Sequence, residues 1–295
     1  MDSRICNYAD DNTVFAASHD PNEIKSQLQQ SLKCISEWFQ MNYFAVNLDK
    51  CKLLLIHHRN LDLFDDFSIT VDGITIEPSS EVKILGVTVD SNLNLNSHIS
   101  KICKKAGSKL YAISRLRPYL RGEKLILLVK SYVTSQFNYC PLLWAYTSRS
   151  NNAKINSLHE RALRLVEGDS DLNFDELLVK YKCKSNHASN ISQLMLLLYK
   201  CLHNLGPSYL REIFHLILTN YNLRNRNDFK AEHVRTVNHG TETVSFRGPQ
   251  TWGLLEPTTK SADSVDNFSL NLKSYERFSC KCRLCATYIQ QVGYI

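Results

Sequence analysis

Two side-by-side carboxylates, Asp10 and Asp11, are the residues of this sequence best suited to chemistry. They lie between Ile5-Cys6-Asn7-Tyr8 and Asn12-Thr13-Val14-Phe15, a pattern that reads as strand, tight turn, strand. Adjacent carboxylates repel one another, so a fold that holds them together commonly supplies a cation. Hard oxygen ligands suit Mg²⁺, often as a pair of ions working on phosphate. The same dipeptide also makes an ordinary solvated hairpin tip, so the rest of the chain has to decide between the two.

Cys280, Cys282 and Cys285, a C-x-C-x2-C run, form the second candidate. A structural zinc site needs four ligands. The nearest upstream cysteine is Cys201 and no histidine follows, so free thiols on a short terminal turn are the expectation. A site completed from far upstream or by another chain stays open. His159, His187 and His203 have no ligand-like spacing to cysteine or acid and read as structural or surface residues.

The third candidate is a field of charge. Between His98 and Lys130 there are nine Lys or Arg and one acid, Glu123, in a chain whose total charge is +6. Lys101, Lys105 and Lys109 repeat every four residues with Lys104 beside them, so on a helix they share one side and repel. A phosphate backbone passing by relieves that repulsion, whereas an ordinary solvated lysine face does not need one.

The elements that position these residues follow from the apolar pattern. Asp20-Pro21 starts a helix through Gln40, with Ile24, Leu28, Leu32, Ile35 and Phe39 as its inner stripe. Leu53–Ile56 reads as a covered strand. Phe67–Ile76, turning at Asp72-Gly73, reads as a hairpin. Val82–Val89 reads as one strand with a bulge or close approach at Gly86. These elements predict an α+β region with a small antiparallel or mixed sheet and one long helix behind it. Helices follow, one capped by Ser97, one from near Glu123 to Phe137, one over Ala153–Val166, and one opened by Ser189 or Asn190 and stopped by Gly206-Pro207. From 218 onward the chain is polar and irregular, with the aromatic residues near Trp252 expected to dock it on the helices.

A hydrophobic content of 43% supports a core, and no apolar run reaches the length of a membrane span. Met1-Asp2-Ser3-Arg4 leads straight into the first strand with no signal-like segment, and the ten cysteines follow no regular framework. The expectation is an intracellular protein with reduced thiols, nuclear or cytoplasmic being unresolved.

Taken in order, these motifs resemble the C-terminal half of the reverse transcriptase of non-LTR retrotransposons, the jockey-like or LINE-like elements. Tyr8-Ala9-Asp10-Asp11 is similar to that family's polymerase active-site box. The helix from Pro21, followed by Asn47, Lys50, Cys51 and Lys52, is similar to the next palm motif. Val82–Val87, with Asp90 and His98, is similar to the primer-grip hairpin and thumb entry. Arg247-Gly248-Pro249, Trp252 and the end containing Cys282, Arg283 and Cys285 are similar to the family's C-terminal region.

The resemblance implies a partial palm over 1–96, a basic helical thumb over 97–217 and a C-terminal region over 218–295. It implies that Asp10 and Asp11 help hold Mg²⁺, with Asp10 the more direct ligand, and that Lys50 lies near the incoming triphosphate. Tyr8 and Ala9 would line the floor under the primer terminus, and Leu85 and Gly86 would belong to the primer grip. Lys101, Lys104, Lys105 and Lys109 would track the duplex backbone, with an RNA template and a DNA primer as partners.

The family also requires an upstream palm Asp, a nucleotide-selecting segment and fingers, and only seven residues precede Tyr8. Neither Asp65-Asp66 nor Asp90 sits in a matching context. The expectation is therefore a fragment of an RNA-directed DNA polymerase, inactive alone, with Mg²⁺ bound weakly or not at all. Two other readings fit the same residues: a non-enzymatic module binding RNA or an RNA–DNA hybrid, and a structural helical protein with no nucleic-acid role.

Overall fold

The structure is a computed structural model, and it describes residues 3–57, 67–168, 170–217, 228–234, 240–275, 280, 282 and 284–285. It is an α+β chain that divides into two compact units, Met1–His98 and Ile99–Ile295. Asp65, Asp66 and Arg283 lie outside the described residues.

The first unit starts with the antiparallel hairpin β1 (Arg4–Tyr8) and β2 (Asp11–Phe15), in register from Arg4↔Phe15 to Tyr8↔Asp11. Helix α1 (Pro21–Met41) follows, with Asp20 accepting the Asn22 N–H at 2.9 Å and Pro21 in the first turn. Its inner face packs Ile24, Leu28 and Leu32 on Phe67, Ile69 and Val71. Ile69 and Val71 belong to β3 (Ile69–Val71), which pairs with β4 (Ile74–Ile76). Asp72 and Gly73 both have positive φ, +48° and +82°, as the tight two-residue turn requires. The Asp72 carboxylate also accepts the Ser36 hydroxyl at 2.6 Å, tying the turn to α1.

Two expectations fail in this unit. Val82–Val89 is not one strand. It is a hairpin, β5 (Glu81–Ile84) and β6 (Val87–Asp90), turning at Leu85 (φ +46°) and Gly86 (φ +88°). Both turn residues lie in the left-handed region, which costs a leucine more than the glycine beside it. Leu53–Ile56 forms no strand, and its ladder contact is an isolated parallel bridge from Leu53 to Pro78. Among the described residues the strands therefore make three separate two-stranded hairpins instead of one sheet.

The second unit is helical, and the boundary between units falls inside α2 (Asn96–Ser114). Ser97 does not cap this helix; it lies within the first turn and donates to the Glu81 carboxylate. α3 (Glu123–Leu128) continues through a π turn and a 3₁₀ turn to Phe137, and buries Leu125, Val129, Val133 and Phe137. α4 (Arg149–Glu167) starts at the Ser148 cap, and α5 (Phe174–Lys180) at an Asn173–Glu176 capping box. α6 (Asn186–Leu202) is capped by Ser185, so it begins earlier than the Ser189 or Asn190 expected.

Short α7 (Leu210–Ile213) comes next, and then the polar C-terminal stretch forms α8 (Val244–Gly253), α9 (Pro257–Lys260) and α10 (Val265–Ser274) where irregular chain was expected. The reason is burial. Trp252 is fully covered, edge-on to Phe229 and stacked with Phe268, and Phe268 stacks on Tyr199 of α6. Aromatic burial on this scale orders a segment whose propensities alone do not. No helix among the described residues is long and apolar enough to cross a membrane.

Candidate functional site

Asp10 and Asp11 sit at the tip of β1–β2, both exposed. Tyr8 pairs with Asp11, leaving Ala9 and Asp10 as the two-residue turn. Ala9 takes φ +52°, a left-handed conformation that a non-glycine residue adopts at a cost of roughly 1–3 kcal/mol. The Asn12 side-chain amide donates to the Asp10 carbonyl at 3.3 Å and steadies the turn. Tyr8 is 67% exposed, so its ring is available to a flat partner.

Lys50 closes a 3₁₀ turn, Leu48–Lys50, and is exposed. No hydrogen bond or ion pair among the described residues joins it to either carboxylate. Nor does any third acid, histidine or cysteine join Asp10 and Asp11 in a ligand cluster among the described residues. Mg²⁺ takes six oxygen ligands in near-ideal octahedral geometry. Two exposed carboxylates fill only part of that shell and leave the rest to water or phosphate.

Leu85 and Gly86 form the tip of β5–β6, and Leu85 is exposed. Asp90 and His98, at the expected thumb entry, are scaffold groups. The Asp90 carboxylate accepts backbone N–H groups from Asn92, Asn94 and Leu95 at 2.8–3.2 Å, and buried His98 accepts the Thr88 N–H through Nδ1 at 3.2 Å.

The basic residues of α2 follow the helix geometry. Ile99, Ala106, Leu110 and Ile113 are buried, while Lys101, Lys104 and Lys105 are exposed. Lys109 is half-buried and its ammonium lies 5.9 Å from the Tyr132 ring centroid, a cation–π distance. Tyr111 and Tyr119 are exposed in the same stretch.

Sequence reasoning missed a further basic feature. Arg117, Arg161 and Arg164 line an open recess with Ser170 and Asp171, and the Arg117 guanidinium reaches Gly168 at the end of α4. Arg164 is engaged by Glu160 at 2.6 Å. Arg117 lies 44 positions before Arg161 and 47 before Arg164, so no local pattern joins it to them.

His187, Cys280, Cys282 and Cys285 converge inside the second unit, with potential ligand atoms all within 4.8 Å of one another. The three thiols interact strongly. Hydrogen bonds from Cys282 and then Cys285 pull the Cys280 thiol well below its usual range, and the Cys285 thiol is pushed up in return. Reading His187 as a plain structural residue therefore misses its surroundings.

Comparison with known proteins bears on these features. Over 167 residues, 56% of this chain, the sequence is 25% identical to the RNA-directed DNA polymerase from mobile element jockey of Drosophila funebris. It is 25% identical over 170 residues, 57% of the chain, to the protein of that name from Drosophila melanogaster. It is 23% identical over 168 residues, 55% of the chain, to the probable RNA-directed DNA polymerase from transposon BS of Drosophila melanogaster. Each match spans 18% of the relative's own length. No family model matches the chain, and no solved structure matches it. Distantly and over part of its length, the chain is similar to the reverse transcriptases of jockey-like mobile elements.

Proposed function

We propose that this chain is a nucleic-acid-gripping portion of a non-LTR retrotransposon reverse transcriptase. Residues 1–96 would act as part of a palm, 97–217 as a thumb-like region and 218–295 as a C-terminal brace. The observation that carries this reading is the concentrated positive face of α2, with Lys104 and Lys105 exposed beside buried Ala106 and nine basic residues between His98 and Lys130. Such a face binds the phosphate backbone through counterion release and reads no sequence. The recess of Arg117, Arg161 and Arg164 adds fork-shaped donors of the kind that hold phosphate. The partial similarity to RNA-directed DNA polymerases of mobile element jockey supports an RNA template paired with a DNA primer as the nucleic acid.

In this reading the Ala9–Asp11 turn is one half of a polymerase metal site. The backbone strain at Ala9 supports it, because left-handed non-glycine residues gather at functional turns. The edges of β1 and β2, which among the described residues pair only with each other, fit a site completed by further strands. With two carboxylates at the tip, the 295-residue polypeptide tested alone binds primer–template and does not extend it.

The test is binding of the full chain to an RNA–DNA hybrid, followed by fluorescence anisotropy across a salt series. Affinity falls steeply with salt, and the double variant Lys104→Ala/Lys105→Ala flattens the logarithmic slope by about 1.8, at roughly 0.9 per lost phosphate contact. Salt-independent binding, or no binding, removes this reading in favour of a structural helical protein. Primer extension in Mg²⁺ that disappears in Asp10→Asn would show the tip to be a complete catalytic site.

A further inference from the structure

His187 and the three C-terminal cysteines come from distant parts of the second unit's sequence, its middle and its end. His187 sits in the first turn of α6, placed there by the Ser185 cap. Cys282 lies ninety-five positions downstream of it in sequence. Yet His187 Nε2 faces Cys282 Sγ at 3.4 Å, and one nitrogen and three sulfurs stand within 4.8 Å of one another. Cys280 and Cys282 are buried and Cys285 is half-buried. A tetrahedral zinc ion with Zn–S of about 2.3 Å and Zn–N of about 2.0 Å spaces its ligand atoms about 3.5–3.8 Å apart. The widest observed spacing, 4.8 Å, exceeds that figure by about 1 Å.

A second observation points the same way. His187 Nδ1 lies 3.0 Å from the Ala145 carbonyl oxygen. A carbonyl can only accept, so Nδ1 carries the hydrogen and Nε2 keeps its lone pair, aimed at the sulfurs. An imidazole fixed by a backbone carbonyl on one nitrogen and turned to soft ligands with the other is the arrangement that zinc-binding histidines use. Tyr146, next along the chain, packs edge-on against the His187 ring, with centroids 6.1 Å apart.

We propose that this chain binds one structural Zn²⁺ through Cys280 Sγ, Cys282 Sγ, Cys285 Sγ and His187 Nε2. On binding, the cysteine thiols release their protons to solvent, and the Nδ1 hydrogen of His187 stays on the Ala145 carbonyl. Four protein ligands leave no position for water or substrate, so the ion braces the fold and performs no chemistry. It pins the C-terminal end to the start of α6 and to Ala145, inside the same core that holds Trp252 and Phe268.

The experiment uses the full chain, purified under reducing conditions and loaded with Zn²⁺ or Co²⁺. Elemental analysis is expected to give about one zinc per chain, and the Co²⁺ form to show the absorption of a tetrahedral thiolate site. His187→Gln and Cys282→Ser each weaken zinc binding at least about tenfold, by analogy with the loss of a supporting ligand partner. His187→Cys keeps four ligands and retains the ion, which separates loss of a ligand from failure to fold; circular dichroism of each variant checks the fold directly. Zinc content no higher in the parent chain than in the Cys280→Ser/Cys282→Ser/Cys285→Ser variant overturns the proposal. So does a metal-free chain two hydrogens short in mass, the sign of a disulfide within the cluster, or an octahedral Co²⁺ spectrum.

Discussion

The acidic tip of β1–β2 and the Cys–His cluster of the second unit both gather ligand atoms, under opposite conditions. Asp10 and Asp11 are neighbours in sequence and open to water, on a hairpin whose first strand is exposed at every residue. His187, Cys280, Cys282 and Cys285 are drawn from distant segments and packed beside Trp252 and Phe268. Water screens and solvates the carboxylates, so the tip can stand without a cation. Burial removes that solvation from the thiols, which as a group favour the neutral form when no metal is bound and carry full charge only as thiolates on a cation. Among the described residues, the region that looks catalytic in sequence thus brings two donors together, and the region expected to hold free thiols brings four.

That contrast can be broken in several places. The largest effect is expected from stripping zinc. At zinc concentrations roughly 1,000 times its dissociation constant, a bound ion stabilises the native state by about 4 kcal/mol, and chelation should remove that increment from the urea unfolding curve of the full chain. Asp10→Asn/Asp11→Asn, by comparison, should leave the curve within about 0.5 kcal/mol of the parent, as for surface substitutions generally. If the acid pair proves the more costly change, the comparison is reversed.

Next in size is Trp252→Ala. The side chain is fully buried between Phe229 and Phe268, and its loss is expected to cost about 3–5 kcal/mol by equilibrium denaturation. A cost under about 1 kcal/mol would mean that the C-terminal helices do not share the core of α6.

A pH effect of similar size is expected from His159. Burial, with a smaller contribution from the charge of Lys130, lowers its pKa to about 4. The unfolded chain, with a histidine pKa near 6.5, binds the proton more readily in this range, so stability is full above about pH 6.5 and falls as pH drops toward 4. The loss is on the order of 3 kcal/mol across that window. His159→Leu should flatten this part of the stability profile; an unchanged slope would show that His159 is free to charge in the native state. The smallest effect is the salt-slope change of the Lys104 and Lys105 double variant, which alters binding and leaves stability nearly untouched.

The legible parts of the sequence were the local ones. The Asp20-Pro21 start of α1 and the Asp72-Gly73 turn carry their signals within a few residues, and both form as expected. The second hairpin was implied by the resemblance to a primer-grip hairpin but hidden from the apolar pattern, because Leu85-Gly86 lacks the usual Asn or Asp before glycine and the run read as one strand. Helix α8 was hidden by Gly248, Pro249 and Gly253, which punctuate a sequence but here are overruled by burial of Trp252. His187 was hidden twice. Its helix starts before the expected cap, and its partners lie at the far end of the chain, beyond the reach of any spacing rule. The acid pair was visible at once, yet the structure leaves its role where the sequence left it, at an exposed turn whose neighbours decide its chemistry.

Native mass spectrometry of the full chain, loaded with both Zn²⁺ and Mg²⁺ and then desalted, tests the contrast most directly. The account predicts one retained zinc in the parent and in Asp10→Asn/Asp11→Asn, none in Cys280→Ser/Cys282→Ser/Cys285→Ser, and no retained magnesium in any of them. Retained metal that follows the aspartates and ignores the cysteines would contradict it.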